Sequence, residues 1–261
     1  MLRRTSSLER LTPLARDGEI GHVEDFLFDE QAWTVRYLVV RTGRWLGRRV
    51  LISPMAVAGD PDWINSRLPL NLTREQIAGS PPIDEGPITR ALEAETAAYY
   101  GFPPYWDGPE LWGWAGRPDP LAPMPPPAPP PPPETATPPA GEPEIRTALV
   151  SANETRGYHI QARDGSIGHV DDFLLDDGPW TVRYLQLDTS NWLGGRRVLI
   201  TPDWIERLDR TTHLIHVDLE RAEIENSPEW DGNLPLDRAF EARLFRHYRK
   251  RGYWEDGSDE P

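Results

Sequence analysis

Residues 17–54 and 164–202 spell nearly the same text. The first stretch reads DGEIGHVEDFLFDEQAWTVRYLVVRTGRWLGRRVLISP and the second DGSIGHVDDFLLDDGPWTVRYLQLDTSNWLGGRRVLITP. With one gap opposite Gly195, 26 of the 38 aligned positions are identical. The likeness continues more weakly. LNLTREQIAGSPPID answers VDLERAEIENSPEWD, and RALEAETAAYYGFPPYWDG answers RAFEARLFRHYRKRGYWEDG. The period far exceeds the roughly 20–45 residues of a solenoid unit, so each copy is a domain with its own core.

The segment between the copies differs in kind. Fourteen of the 29 prolines fall between Pro118 and Pro143. Such a run has few amide donors and cannot build a helix or a sheet ladder, which predicts polyproline II. At about 3.1 Å per residue it reaches roughly 80 Å when extended. The chain thus divides into copy 1 (1–116), a proline-rich spacer (117–143) and copy 2 (144–261). Copies of about 100 residues suffice for a single core, and the spacer leaves each to close by itself.

Within each copy the pattern is mostly β with a C-terminal helix. GHVEDFLFD and WTVRYLVV are rich in β-branched and aromatic residues, and Asp29 to Ala32 between them suit a hairpin turn. Asp176, Asp177, Gly178 and Pro179 fill the same place in copy 2. RRVLIS and RRVLIT give a third strand, and HLIHVDL and RLPLNL a further one. Ile88, Leu92, Glu95 and Tyr99 recur at helical spacing with Pro87 in the first turn, and Gly101 and Pro103 stop the run. Leu236, Phe240, Leu244 and Tyr248 repeat that spacing. Each helix is followed by an aromatic tail, Tyr105–Trp106 or Tyr253–Trp254. Apolar tails kept in both copies predict a self-complementary pairing of the copies within one chain.

Charge narrows the function. The chain has 28 basic and 42 acidic residues, a net charge of -14, and Lys250 is its one lysine. Nucleic-acid binding rests on clustered Lys and Arg, so that class is excluded. Cys is absent, which removes disulfides, thiolate metal sites and a cysteine nucleophile. No apolar run approaches the ~20 residues of a membrane span, and the first residues lack the apolar stretch of a signal peptide. The expectation is a cytoplasmic protein with no membrane span.

Candidate chemistry is sparse. His22 and His169 occupy matching places in the IGHV motif and could serve a ligand-sensing site, but each lacks the companions a metal site takes. His213 and His216 fall on opposite faces of a strand. The acidic pairs Glu24–Asp25 and Asp29–Glu30, with Asp171–Asp172 and Asp176–Asp177, lack the alternating spacing of a calcium loop and are expected as solvated positions and turn caps. No nucleophile elbow, P-loop or dinucleotide fingerprint occurs. The expectation is a non-enzyme with no metal and no cofactor. The T-x-x-W-L-G turns carry Trp45 and Trp192 beside Arg48, Arg49, Arg196 and Arg197. Each Trp either plugs its own domain or, with the arginines, forms a contact surface for a partner.

The motifs DGxIGHVxDFLxD and WTVRYLxxxTxxWLxxRRVLIxP, with the later SPxxD and a terminal helix before YW, resemble the PRC-barrel family. That family includes the cytoplasmic domain of the photosynthetic reaction-centre H subunit and the C-terminal domain of the ribosome maturation factor. The resemblance covers about 17–107 and 155–255. It implies two small, strongly bent antiparallel β-barrels used as protein-interaction modules, with no catalytic residue set to carry over. The function expected is an adaptor or assembly module for an unidentified protein partner. The alternative is a small-molecule or ion sensor that uses the barrel mouth near His22 and His169.

Overall fold

The computed structural model of the chain describes residues 1–43, 47–83, 87–119, 147–189, 196–232 and 236–256. Trp45, Trp192 and nearly all of the proline-rich spacer lie outside the described residues. The fold is mostly β, and it groups into two compact units. The first holds Leu8–Val150 and Gly178–Trp180. The second holds Met1–Ser7, Ser151–Asp177 and Thr181–Pro261.

In the first unit the hairpin predicted from the repeat forms between His22–Asp29 and Thr34–Arg41. Arg49–Ile52 pairs on the free side of Thr34–Arg41. Seven of the eight residues of Thr34–Arg41 are buried, as for a strand covered on both faces. A second, three-stranded sheet runs Gly18–Glu19, Thr12–Ala15, Arg67–Pro69. In the second unit the same elements join edge to edge into one curled half-barrel. Its order is Ile205–Asp209, Leu214–Val217, His159–Ala162, Gly165–Asp176, Thr181–Asp188, Arg197–Ile200.

The bend that separates or curls these strands comes from one glycine per copy. Gly21 and Gly168 have φ of 63° and 62°, a left-handed backbone open to glycine at little cost. A Cβ on Gly21 would lie 1.7 Å from the Arg41 carbonyl oxygen, and one on Gly168 2.5 Å from that of Asp188. The IGHV motif therefore owes its form to glycine as much as to histidine.

A bulge follows directly, between Val23 and Asp25 and between Val170 and Asp172. It places one extra residue in the strand and changes which face the next side chain takes. Glu24 and Asp171 consequently stay partly exposed, while Asp25 and Asp172 are 8% and 1% exposed. The expectation of solvated positions fails for these two aspartates. It holds for Asp29 as a turn cap, since its Oδ1 accepts from the Gln31 and Ala32 amides at 2.8 and 3.1 Å.

The terminal helices form with shifted faces. The first spans Arg90–Tyr100 and begins at Thr89, whose hydroxyl accepts from the Leu92 amide, so Pro87 precedes the helix. Its buried residues are Glu93 and Thr96, whereas Glu95 and Tyr99 face water. The second spans Arg238–His247, capped by Asp237, and buries Phe240 and Leu244 as expected. The aromatic tails pack on their own helices. Arg90 lies 4.2 Å over the Trp106 ring and Arg238 4.3 Å over that of Trp254. The tails therefore have a burial site that needs no second copy.

The compact grouping and the repeat boundary do not coincide. Leu2–Arg4 pairs antiparallel with Gly165–Asp176, Leu2 opposite Asp176 and Arg4 opposite Leu174. Its counterpart in copy 2, Leu149–Ser151, neighbours His22–Asp29. The equivalence extends to single bonds: the Asp177 amide donates to Met1 O and the Glu30 amide to Ala148 O, each at 3.1 Å. Leu149 joins Leu27, Tyr37, Val39, Leu51 and Ile83 in the first unit's core. Each unit thus includes strand residues whose sequence falls in the other copy, Leu2–Arg4 in the second and Leu149–Val150 in the first.

Alanine at Gly21 or Gly168 is expected to lower stability by about 2 kcal/mol or more, from left-handed strain plus the carbonyl clash. Gly116, with none of the described residues within 4 Å of a built Cβ, is the control. Urea melts should leave Gly116→Ala within about 0.5 kcal/mol of wild type.

Candidate functional site

A buried carboxylate and two phenols recur at matching positions in both units. In the first unit Glu93 is fully buried on the helix. Tyr105, from the tail, donates its hydroxyl to Glu93 Oε2 at 2.8 Å. Arg90, one helical turn back, lies 3.2 Å from Glu93 Oε1 and donates to the Tyr105 oxygen at 3.2 Å. Tyr37, from the central strand, is buried beside them. The second unit repeats the set. Tyr184 and Tyr253 donate to Glu241 Oε1 at 2.7 and 2.8 Å, and Arg238 pairs with its Oε2 at 3.1 Å.

These bonds join three elements: the helix through Glu, the central strand through one Tyr, the tail through the other. Burial pushes the Tyr37 and Tyr105 phenols up, and the Glu93 carboxylate pushes them further. Burial likewise raises the Glu93 carboxyl, against the Tyr105 hydrogen bond and the Arg90 charge. Tyr253 is pushed up to about 12 by burial and by its bond to Glu241. At neutral pH the phenols are thus fixed donors. Arg36 completes the first cluster; it is 4% exposed, 4.1 Å over the Tyr105 ring and 3.1 Å from Asp29 Oδ2. Burial lowers its pKa, and Asp29 opposes that change.

The units differ beside this cluster. Tyr37, Met55, Thr96, Tyr100, Phe102 and Trp106 are among the residues around a hollow of about 20 Å³ in the first unit, room for one water. Among the described residues the Thr96 hydroxyl has no hydrogen-bond partner. Burial pushes Tyr100 up to about 12. In the second unit Phe245 occupies the corresponding place, with ring centroids 5.0 Å from Trp254 and 5.4 Å from Trp204. The alignment of the copies puts Ala97 opposite Phe245 and Ala56 opposite Trp204.

The residues singled out from the sequence lie elsewhere. His22 is exposed, its Nε2 3.8 Å from Glu24 Oε1. His169 is half-buried, its ring 6.4 Å from that of His159. Neither lines the hollow. His216 meets Arg207 at 2.9 Å, and the His213 ring stacks on Tyr158 at 4.9 Å. Among the described residues no three His, Asp or Glu side chains converge to hold a metal ion. Arg49 is tied to Glu24 at 3.1 Å and Arg197 to Asp171 at 3.4 Å, while Arg48 and Arg196 are exposed. The Thr42 and Thr189 hydroxyls donate to the Arg48 and Arg196 carbonyls at 3.1 and 3.0 Å; Trp45 and Trp192 lie outside the described residues.

Glu93 and Glu241 escaped the sequence analysis, although a signal existed. Both follow an apolar helical residue, Leu92 or Phe240, in two otherwise diverging helices.

The span that holds the bent hairpin is similar to a known domain model. Residues 14–69 match the PRC-barrel domain. The matched PRC-barrel span contains the Gly21 bend, Tyr37 and Arg49, and it ends before the helix that supplies Glu93. No curated protein matches the chain. Among the described residues no helix is long and apolar enough to cross a membrane.

A raised Glu93 pKa has a definite sign. The neutral form is favoured in the fold, so the full contribution is present below the unfolded value of about 4.3 and declines as pH rises through the folded value. Glu93→Gln escapes that decline. Its stability relative to wild type should therefore improve between pH 4 and pH 7, measured by urea melts at each pH; a constant difference contradicts the raised pKa.

Proposed function

We propose that the chain is a non-enzymatic protein of two PRC-type barrels joined by a proline-rich spacer, an adaptor or assembly module for protein partners in the cytoplasm. One observation carries this: the repeated titratable groups are consumed in fastening helix, strand and tail to one another. Glu93 and Glu241 each accept from tyrosine and face a guanidinium within their own unit. The PRC-barrel match is consistent with an interaction module. The contact surface is assigned to the paired loops, Trp45 with Arg48 and Arg49, and Trp192 with Arg196 and Arg197. Exposed Arg48 and Arg196 at those loop roots favour that surface, since Arg and Trp dominate interface energetics.

The test uses the full chain as bait. Trp45→Ala with Arg48→Ala, and the matching pair Trp192→Ala with Arg196→Ala, should each reduce recovery of a co-purifying protein at least tenfold. Their melting temperatures should stay within a few degrees of wild type. Undiminished recovery by both double variants would exclude the loops as the contact surface.

A sensor using the barrel mouth near His22 and His169 remains the second reading; the hollow beside Thr96, with room for one water, would add only a water-sized occupant. Without a ligand, removing an unpartnered buried hydroxyl is neutral or stabilising by up to about 1 kcal/mol. Thr96→Val should therefore raise the urea midpoint slightly at unchanged slope. A lowered midpoint would show that the hydroxyl has an occupant to bond.

A further inference from the structure

Met1–Ser7 belongs to the second compact unit although it begins the first copy. Its strand Leu2–Arg4 extends the sheet along Leu174–Asp176. The residues that follow converge on one carboxylate. Asp172 accepts from the Thr5 hydroxyl at 2.8 Å, the Ser6 amide at 3.2 Å, the Ser6 hydroxyl, and Arg4 Nε at 3.1 Å. The Phe173 amide donates at 2.9 Å and Arg156 pairs at 3.6 Å. Arg156 also donates to the Thr5 hydroxyl at 2.7 Å, and Arg3 reaches Asp177 at 3.2 Å.

Burial would raise the Asp172 carboxyl, yet the Ser6 and Thr5 bonds hold it below the ordinary aspartate range. The docking therefore has two parts. Main-chain pairing gives adhesion, and a buried anion reads the Arg4–Thr5–Ser6 side chains, which is the division of labour in strand addition to a sheet edge. At the matching positions of copy 2 the sequence differs, since Ala152 and Asn153 stand where Thr5 and Ser6 do.

We propose that the Leu174–Asp176 edge with Asp172 is an acceptor site for a Leu-Arg-Arg strand that runs into a helical Thr-Ser turn, occupied in cis by residues 1–7 and able to take that segment in trans once vacated. This goes beyond the adaptor reading and does not rest on the Trp–Arg loops. The tether through Leu8 gives the cis segment a high effective concentration, so the wild-type site is closed to competitors. A carboxylate introduced at Ser6 faces Asp172 with like charge and opens it.

The experiment titrates full-length proteins with a fluorescein-labelled synthetic peptide of residues 1–10, followed by anisotropy. Ser6→Asp should bind one peptide per chain, at least tenfold more tightly than wild type. Ser6→Asp with Asp172→Ala should lose that gain. A folded Ser6→Asp protein, verified by circular dichroism, that binds no better than wild type overturns the proposal. Should Ser6→Asp not fold, amide exchange on wild type decides. The Asp177 amide, bonded to Met1 O, should exchange through a local opening, faster than the interior of Thr181–Asp188. Exchange of both only through global unfolding would show that the segment is no separable ligand.

Discussion

A carboxylate without water must find its partners in the protein, and that need organises each half of the molecule. Glu93 and Glu241 sit on the inner faces of their helices, where an unpaired charge would be costly. Each is met by a phenol from the tail and by a guanidinium one turn earlier on the same helix, and Glu241 by a strand phenol as well. Removing any participant leaves the others buried and short of a bond. The helix, the central strand and the chain after the helix are consequently fixed as a set, and the apolar contacts of Leu92 and Tyr105 with the first core are placed by it.

The two copies solve the space beside this set differently. Copy 2 fills it with Phe245 against Trp204 and Trp254, a packing that leaves the polar cluster enclosed by aromatic rings. Copy 1 has alanines at both aligned positions and a serviceable void beside Thr96. Trp112, fully buried and donating to the Pro179 carbonyl at 2.8 Å, adds cover that copy 2 has no equivalent residue to supply. Duplicated domains are free to diverge at such points, because the shared polar fastening keeps the scaffold in register.

Much of the scaffold was legible in the text. Alternation and turn chemistry located the hairpin, the third strand and the helices because those signals are local. The helix face was harder. Glu95 and Tyr99 fit the spacing of an apolar stripe, but the buried positions are Glu93 and Thr96, and a charged residue on the inner face defeats a search for apolar ones. Asp25 and Asp172 were misplaced for a related reason. A bulge adds one residue to a strand, and strict period-two alternation then assigns every later side chain to the wrong face. The exchange of outer strands was not legible at all, since LRR and LVS carry no mark of which copy receives them.

That exchange sets a schedule for synthesis. Leu2 pairs with Asp176, so the chain's first strand has no partner until the second hairpin has been made. At about 5–20 residues per second, the segment spends roughly 10–35 s before its sheet partner exists. The first unit waits too, for its outer strand, Leu149–Ser151, lies beyond the proline run and its last piece, Gly178–Trp180, follows Asp176. Translation therefore carries both halves incomplete up to Trp180, where the first unit has all its residues while the second still awaits its helix, Arg238–His247.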